Sequence, residues 1–111
     1  MSLTVALRDD MLDAIDGVAV FASLHSADPG DDGADQVGDR EPITWSDASN
    51  GSKVSAAAVT FTVPADGHVA YGGLWDAETG GNFLGGGQLS SAEDYTAEGT
   101  YVLDTVTITL T

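Results

Sequence analysis

The chain has 111 residues, no cysteine, and 18 acidic residues against three basic ones, Arg8, Arg40 and Lys53, for a formal net charge of −15. That length holds a single domain, residues 1–111. The missing cysteines exclude disulfides and thiolate metal centres, and the charge argues against binding nucleic acid or an anionic membrane, both of which call for clustered Lys and Arg.

In chain order, residues 3–15 read as a short helix. Leu3, Leu7, Met11 and Ile15 recur at i, i+4, i+8 and i+12 as one apolar stripe, with Asp9, Asp10, Asp13 and Asp16 expected toward solvent. Ser2 or Thr4 can cap its start and Gly17 can stop it. The period then changes. Val18–Leu24 reads as a buried strand, residues 25–40 as a Gly/Asp/Pro loop, and Ile43-Thr-Trp45 as a short strand. Residues 46–52, with Asn50-Gly51, look like a hairpin turn. Val59–Val63 alternates strictly up to Pro64, and Asp66-Gly67 turns the chain into a strand from His68 to Trp75. Residues 79–82 turn it again into Phe83–Leu89, and Tyr101–Leu103 and Val106–Leu110 complete the strands.

Six to eight short strands with turn signals about every ten residues predict a mainly β fold. The expected form is an antiparallel, jelly-roll-like sandwich with one short N-terminal helix. Gly72-Gly73 and Gly85-Gly86-Gly87 fall inside predicted strands. Glycine there marks a bulge, a bend, or the close approach of another backbone. A hydrophobic fraction of 42% is too high for a disordered acidic chain. No 18-residue apolar run is present, and the N-terminus lacks the basic and apolar regions of a secretory signal, so neither a membrane span nor secretion is expected. An excess of Asp with a single Lys fits a protein from a hypersaline setting, where molar salt screens self-repulsion.

Catalytic signals are weak. A Ser26–His25–Asp28 triad can be written down, but triads assemble from distant segments, so His25 is expected to be a structural residue bonded into the following turn. Carboxylate pairs suited to glycoside hydrolysis arise by chance among 18 acids. Trp45 and Trp75, which a sugar site would need on a flat face, lie in strand-like runs and are expected in the core. Asp28, Asp31 and Asp32, with Gly33, form the one candidate cation loop. Calcium or magnesium would suit those oxygen ligands, against the alternative of a solvated acidic loop. No organic cofactor is expected.

Ser23-Leu-His-Ser-Ala-Asp-Pro-Gly30 resembles a family of small tailed-phage proteins, the tail fibre or minor tail proteins, in which a strand ends in "LHTADPG". Ile43-Thr-Trp45, Gly73-Leu-Trp-Asp-Ala77, Gly80-Gly-Asn-Phe-Leu84 and the stretch from Gly99 to Leu110 follow in the family's order. The acidity points to a haloarchaeal tailed-virus member as readily as to a phage of high-GC bacteria. The resemblance implies a β-rich, non-enzymatic structural protein of the virion, at the tail, tail tip or fibre. Alternatives are a capsid decoration protein that stabilises the shell and a carbohydrate-binding module for host attachment. The expected partners are other virion proteins (tail or major capsid protein) and further copies of the chain, with a trimer favoured.

Overall fold

Residues 3–110 are described by the computed structural model. Strict alternation in sequence becomes alternation in burial. In β4 (Val59–Val63) the three apolar side chains point inward and the two threonines outward. β4 pairs antiparallel with β7 (Gly99–Leu103). The larger sheet is antiparallel, in the order β2 (Gln36–Pro42), β1 (Phe21–His25), β5 (Gly67–Trp75), β6 (Phe83–Tyr95). Ala22, Leu24 and Val69 of this sheet meet Val59, Phe61, Val63 and Tyr101 of the β4–β7 pair, with Ile43, in one core of a sandwich-like arrangement. Leu24, Phe61, Val63 and Val69 are fully buried, each contributing about 1.5–3 kcal/mol of apolar transfer free energy. A third pair, β3 (Ser52–Val54) with β8 (Thr107–Thr109), carries the helix.

The turn chemistry acts as expected. Asn50 and Gly51 have φ of 54° and 75° between the bridged Ser49 and Ser52, the signature of a tight two-residue hairpin. Asp66, Gly80 and Gly81 are also left-handed.

Several expectations are corrected. The helix α1 runs over Val5–Asp13 and tightens to a 3-10 turn over Ala14–Gly17. Thr4 Oγ1 caps it by accepting from the Leu7 N–H at 3.2 Å, and Ser2 lies outside the described residues. The predicted stripe is not its buried face: Leu7 and Met11 are nearly half exposed, and Leu12 is the buried residue. The aspartates do the docking instead. Asp9 Oδ1 accepts from the Gly51 N–H at 2.7 Å and Asp13 Oδ1 from the Ala48 N–H at 2.8 Å. The Lys53 ammonium lies 2.7 Å from Asp13 and 2.8 Å from Asp16. Carboxylates at a helix C-terminus oppose its dipole; a cation from β3 offsets that here.

The strand expected from Val18 begins at Phe21 and runs to His25. The expected loop 25–40 ends early, because residues 36–42 form β2 along β1 despite three charges and a left-handed Gly38. Ile43–Trp45 makes only an isolated bridge, Trp45 to Ser55. The strand expected to end at Leu89 continues to Tyr95.

Candidate functional site

Three of the segments that carried the family resemblance, Ser23–Gly30, Gly73–Ala77 and Gly80–Leu84, converge on one cluster at the β1–β5–β6 end of the larger sheet. Ser23 and His25 are two apart in β1, so both project to one face, and both are fully buried. His25 Nδ1 lies 2.7 Å from the Ala34 carbonyl and Nε2 lies 2.6 Å from Ser23 Oγ. A carbonyl only accepts, so Nδ1 carries the proton, Nε2 is the acceptor, and the Ser23 hydroxyl donates to it. Ser23 Oγ in turn accepts from the Trp75 indole N–H at 2.8 Å. Phe83 stands edge-on to both His25 and Trp75, with centroids 6.0 and 5.1 Å away. Burial holds the His25 pKa below its ordinary value, against the opposing pull of the Ala34 carbonyl, so the imidazole is neutral at pH 7.

Arg40 closes the cluster from β2. Its guanidinium carbon sits 3.4 Å from the Trp75 ring centroid, and Nη1 donates to the Ala77 and Gly80 carbonyls at 2.9 and 2.7 Å. The 76–82 turn is shaped further by Asp76, which accepts from the Asn82 backbone and side-chain N–H groups at 2.7 and 2.9 Å. Those hydrogen bonds hold the Asp76 pKa below the carboxylate norm. Gly73 is required by space: a Cβ there would lie 2.8 Å from His25 Nε2, Phe83 Cε1 and Ser23 Oγ.

A Ser–His hydrogen bond is an element of nucleophilic catalysis. Here the hydroxyl has no accessible surface, and the outer ring nitrogen faces a backbone carbonyl in place of an orienting carboxylate. Ser26 and Asp28, the partners written down from sequence, do not join His25; the Ser26 N–H donates to the Asp35 carbonyl, and Asp28 Oδ1 accepts from the Gly30 N–H. His68 pairs with exposed Asp94 across β5 and β6.

Asp28 and Asp32 each cap their own loop, Asp32 Oδ1 accepting from the Ala34 N–H at 3.2 Å. Among the described residues no three His, Asp or Glu side chains gather at metal-holding distances, Asp28, Asp31 and Asp32 included. Trp75 is buried under Arg40, and Trp45 is half-buried with its N–H donated to the Ala19 carbonyl at 2.8 Å. The Trp75 indole therefore presents no open face.

Ser23, Arg40, Gly73 and Phe83 were not singled out from sequence as partners of His25. The i, i+2 spacing of Ser23 and His25 was the available signal. Lys53, the only lysine in an acidic chain, was another: it has no accessible surface, and although burial works to lower its pKa, the hydrogen bonds it donates to Asp13 and Asp16 and their negative charges together raise it.

These features define a small β-structural protein whose most distinctive side chains fasten its own strands and turns together. Over residues 6–111 the sequence matches the family described as Podophage GP4 fiber I protein gp80, and the chain belongs to that family. It is therefore a virion component of the tailed-phage fibre kind, as the resemblance at Ser23–Gly30 implied at family level. No curated protein matches the sequence at a significant level.

Proposed function

We propose that the chain is a non-enzymatic structural element of the tail fibre or tail tip, held in place by other virion proteins. The observation that carries this is the fibre-family match along nearly the whole chain. The inward-facing Ser23–His25–Trp75 cluster supports it, because the residues that most resemble a catalytic set are sealed off and bonded to one another. The excess of 15 negative charges reads as adaptation to high salt.

The test is copy number, by quantitative densitometry of purified virions. A tail or fibre element is present in a handful to a few tens of copies per particle. Hundreds of copies would place it on the capsid shell and overturn the reading. Hydrolysis of a host polysaccharide by the purified protein, lost on a single Asp or Glu substitution, would overturn the non-enzymatic part.

A further inference from the structure

The two flanks of the sandwich are closed differently. On one, β2 lies against β4, and the Gly38 Cβ position is 2.9 Å from the Thr62 carbonyl oxygen. On the other, the far half of β6 is tied to β7, through Tyr101 Oη to the Ser91 carbonyl and Tyr95 Oη to the Thr100 carbonyl. The near half of β6 leaves that flank open. Among the described residues β6 pairs only with β5, and β8 only with β3. Between residues 84–90 and residues 105–109 lies a groove of about 640 Å³ with no charged residue in its lining. Its β6 lip is an unpaired strand edge without the charge or proline that usually protects one, since residues 83–92 carry neither.

Glycine sets the depth of this groove. Gly72 pairs with Gly87 and Leu74 with Gly85, so these four share one face of the sheet, while Gly73 and Gly86 belong to the face of His25 and Phe83. A Cβ at Gly85 or Gly87 would meet nothing within 4 Å. The sheet therefore offers bare backbone on the groove side, with half-buried Leu74, Leu89 and Val106 as apolar walls. A strand laid along the β6 edge would turn every second side chain into that space. Aromatic or β-branched side chains there would cover the glycines, which have nothing of their own to pack.

We propose that the groove receives an extended segment of a different protein, added as a fifth strand on the β6 edge over residues 84–90. Its inward side chains are apolar and its flanks carry Lys or Arg. Charge selects this occupant. A charged side chain in the neutral groove would be buried without a partner. Around the groove the free charge is of one sign: Glu93 and Asp94 are exposed farther along β6, and exposed Asp104 interrupts the facing segment. The chain stands at −15, and Arg8, Arg40 and Lys53 are each bonded internally. A second copy would bring the same carboxylates and no free cation to meet them. A basic-flanked segment is complementary to that field. Main-chain hydrogen bonds to the edge supply affinity, and the alternate side chains supply specificity. The inference rests on the fold and the charge and does not depend on the fibre reading.

The probe is a synthetic peptide, Lys-Lys-Thr-Phe-Thr-Val-Thr-Lys-Lys, titrated into the full chain by fluorescence anisotropy, with circular dichroism confirming the fold at each salt concentration. It should bind, and binding should weaken from about 0.2 to 1 M KCl as screening grows. The same core flanked by glutamates should bind about tenfold more weakly or worse. Hydrogen exchange should slow at residues 84–90 in the complex. Methylating the backbone nitrogens of alternate peptide residues should abolish binding in one register and spare it in the other, since the added strand pairs through one edge. Gly87→Leu has room for its Cβ, so it should keep the dichroism spectrum, fill the groove and lose the peptide. Val102→Leu, on exposed β7, should bind as the parent does. Absence of binding to the folded chain at 0.2 M KCl, equal binding of the glutamate-flanked peptide, or unchanged affinity in Gly87→Leu would each overturn the proposal. A free chain of twice 11.3 kDa with residues 84–90 already protected would assign the groove to a second copy and overturn it too.

Discussion

Replacing Gly73 by Ala tests whether the Ser23–His25–Trp75 cluster fastens the fold. The added methyl would sit 2.8 Å from His25 Nε2, Phe83 Cε1 and Ser23 Oγ, where real Cβ atoms are not found. Two of the three are held in place. His25 is bonded at both ring nitrogens, and Ser23 at 2.6 and 2.8 Å to two partners. Overpacking of a buried site costs about 1–3 kcal/mol. Displacing Ser23 from either partner leaves a buried polar atom unsatisfied, at a further ~1–3 kcal/mol. A loss near 3–4 kcal/mol is expected, a large share of a total stability of ~5–15 kcal/mol. Urea unfolding in 1 M KCl, followed by tryptophan fluorescence, would read it as a midpoint lowered by about 1.5–2 M for a slope near 2 kcal/mol/M. Gly17→Ala is the control, since a Cβ there meets nothing within 4 Å and its φ is not left-handed. It should hold or slightly raise the midpoint. A Gly73→Ala midpoint within about 0.5 M of the parent would refute the reasoning.

The other predictions concern charge. Lys53→Met should cost about 2 kcal/mol, because it strips two charge-assisted hydrogen bonds that anchor α1. Most of that cost should persist between 0.2 and 2 M KCl, since the ammonium is buried; a cost that vanishes at high salt would place the pair at the surface. The folded-state pKa of His25 is depressed, so its contribution is present above the unfolded value of about 6.5 and is lost as pH falls below it. The urea midpoint should therefore decline from about pH 6.5 downward, and His25→Gln should flatten that segment of the profile. Melting temperature should climb with KCl into the molar range. Calcium at fixed ionic strength should add no more than magnesium does, whereas a saturating rise at millimolar calcium would place a cation at Asp28, Asp31 and Asp32.

What the sequence disclosed was what local chemistry controls. Alternation at Val59–Val63, left-handed turns at Asn50-Gly51 and Gly80-Gly81, and the Thr4 cap all follow from residues adjacent in the chain. β2 was invisible because Gly38, Asp39, Arg40, Glu41 and Pro42 carry no strand propensity; the neighbouring β1 backbone makes that stretch a strand. The helix was placed but its face was misread. Periodicity assigns burial to the most regular apolar stripe, whereas this helix docks through Asp9, Asp13 and Asp16 onto one lysine and two backbone N–H groups. The cluster around His25 was legible as motifs and not as contacts. Its members come from β1, β2, β5 and β6, and only the folded register brings Ser23 opposite Gly73.

The disposition of the three cations bears on how such a chain can be assembled at all. Arg40 is stacked on Trp75 and bonded to two carbonyls, Lys53 is sealed between two aspartates, and Arg8 donates to the Leu110 carbonyl at 3.4 Å. Each secures a long-range contact inside the domain, leaving an outer field dominated by carboxylates. A neighbour in a particle can meet that field in two ways. It can present Lys and Arg, in which case association speeds up and grips harder as salt is diluted. Or it can meet an uncharged edge, in which case association needs salt to quiet the surrounding repulsion. The two cases have opposite salt dependence, so the direction in which the particle loses this subunit on dilution identifies the kind of contact that holds it.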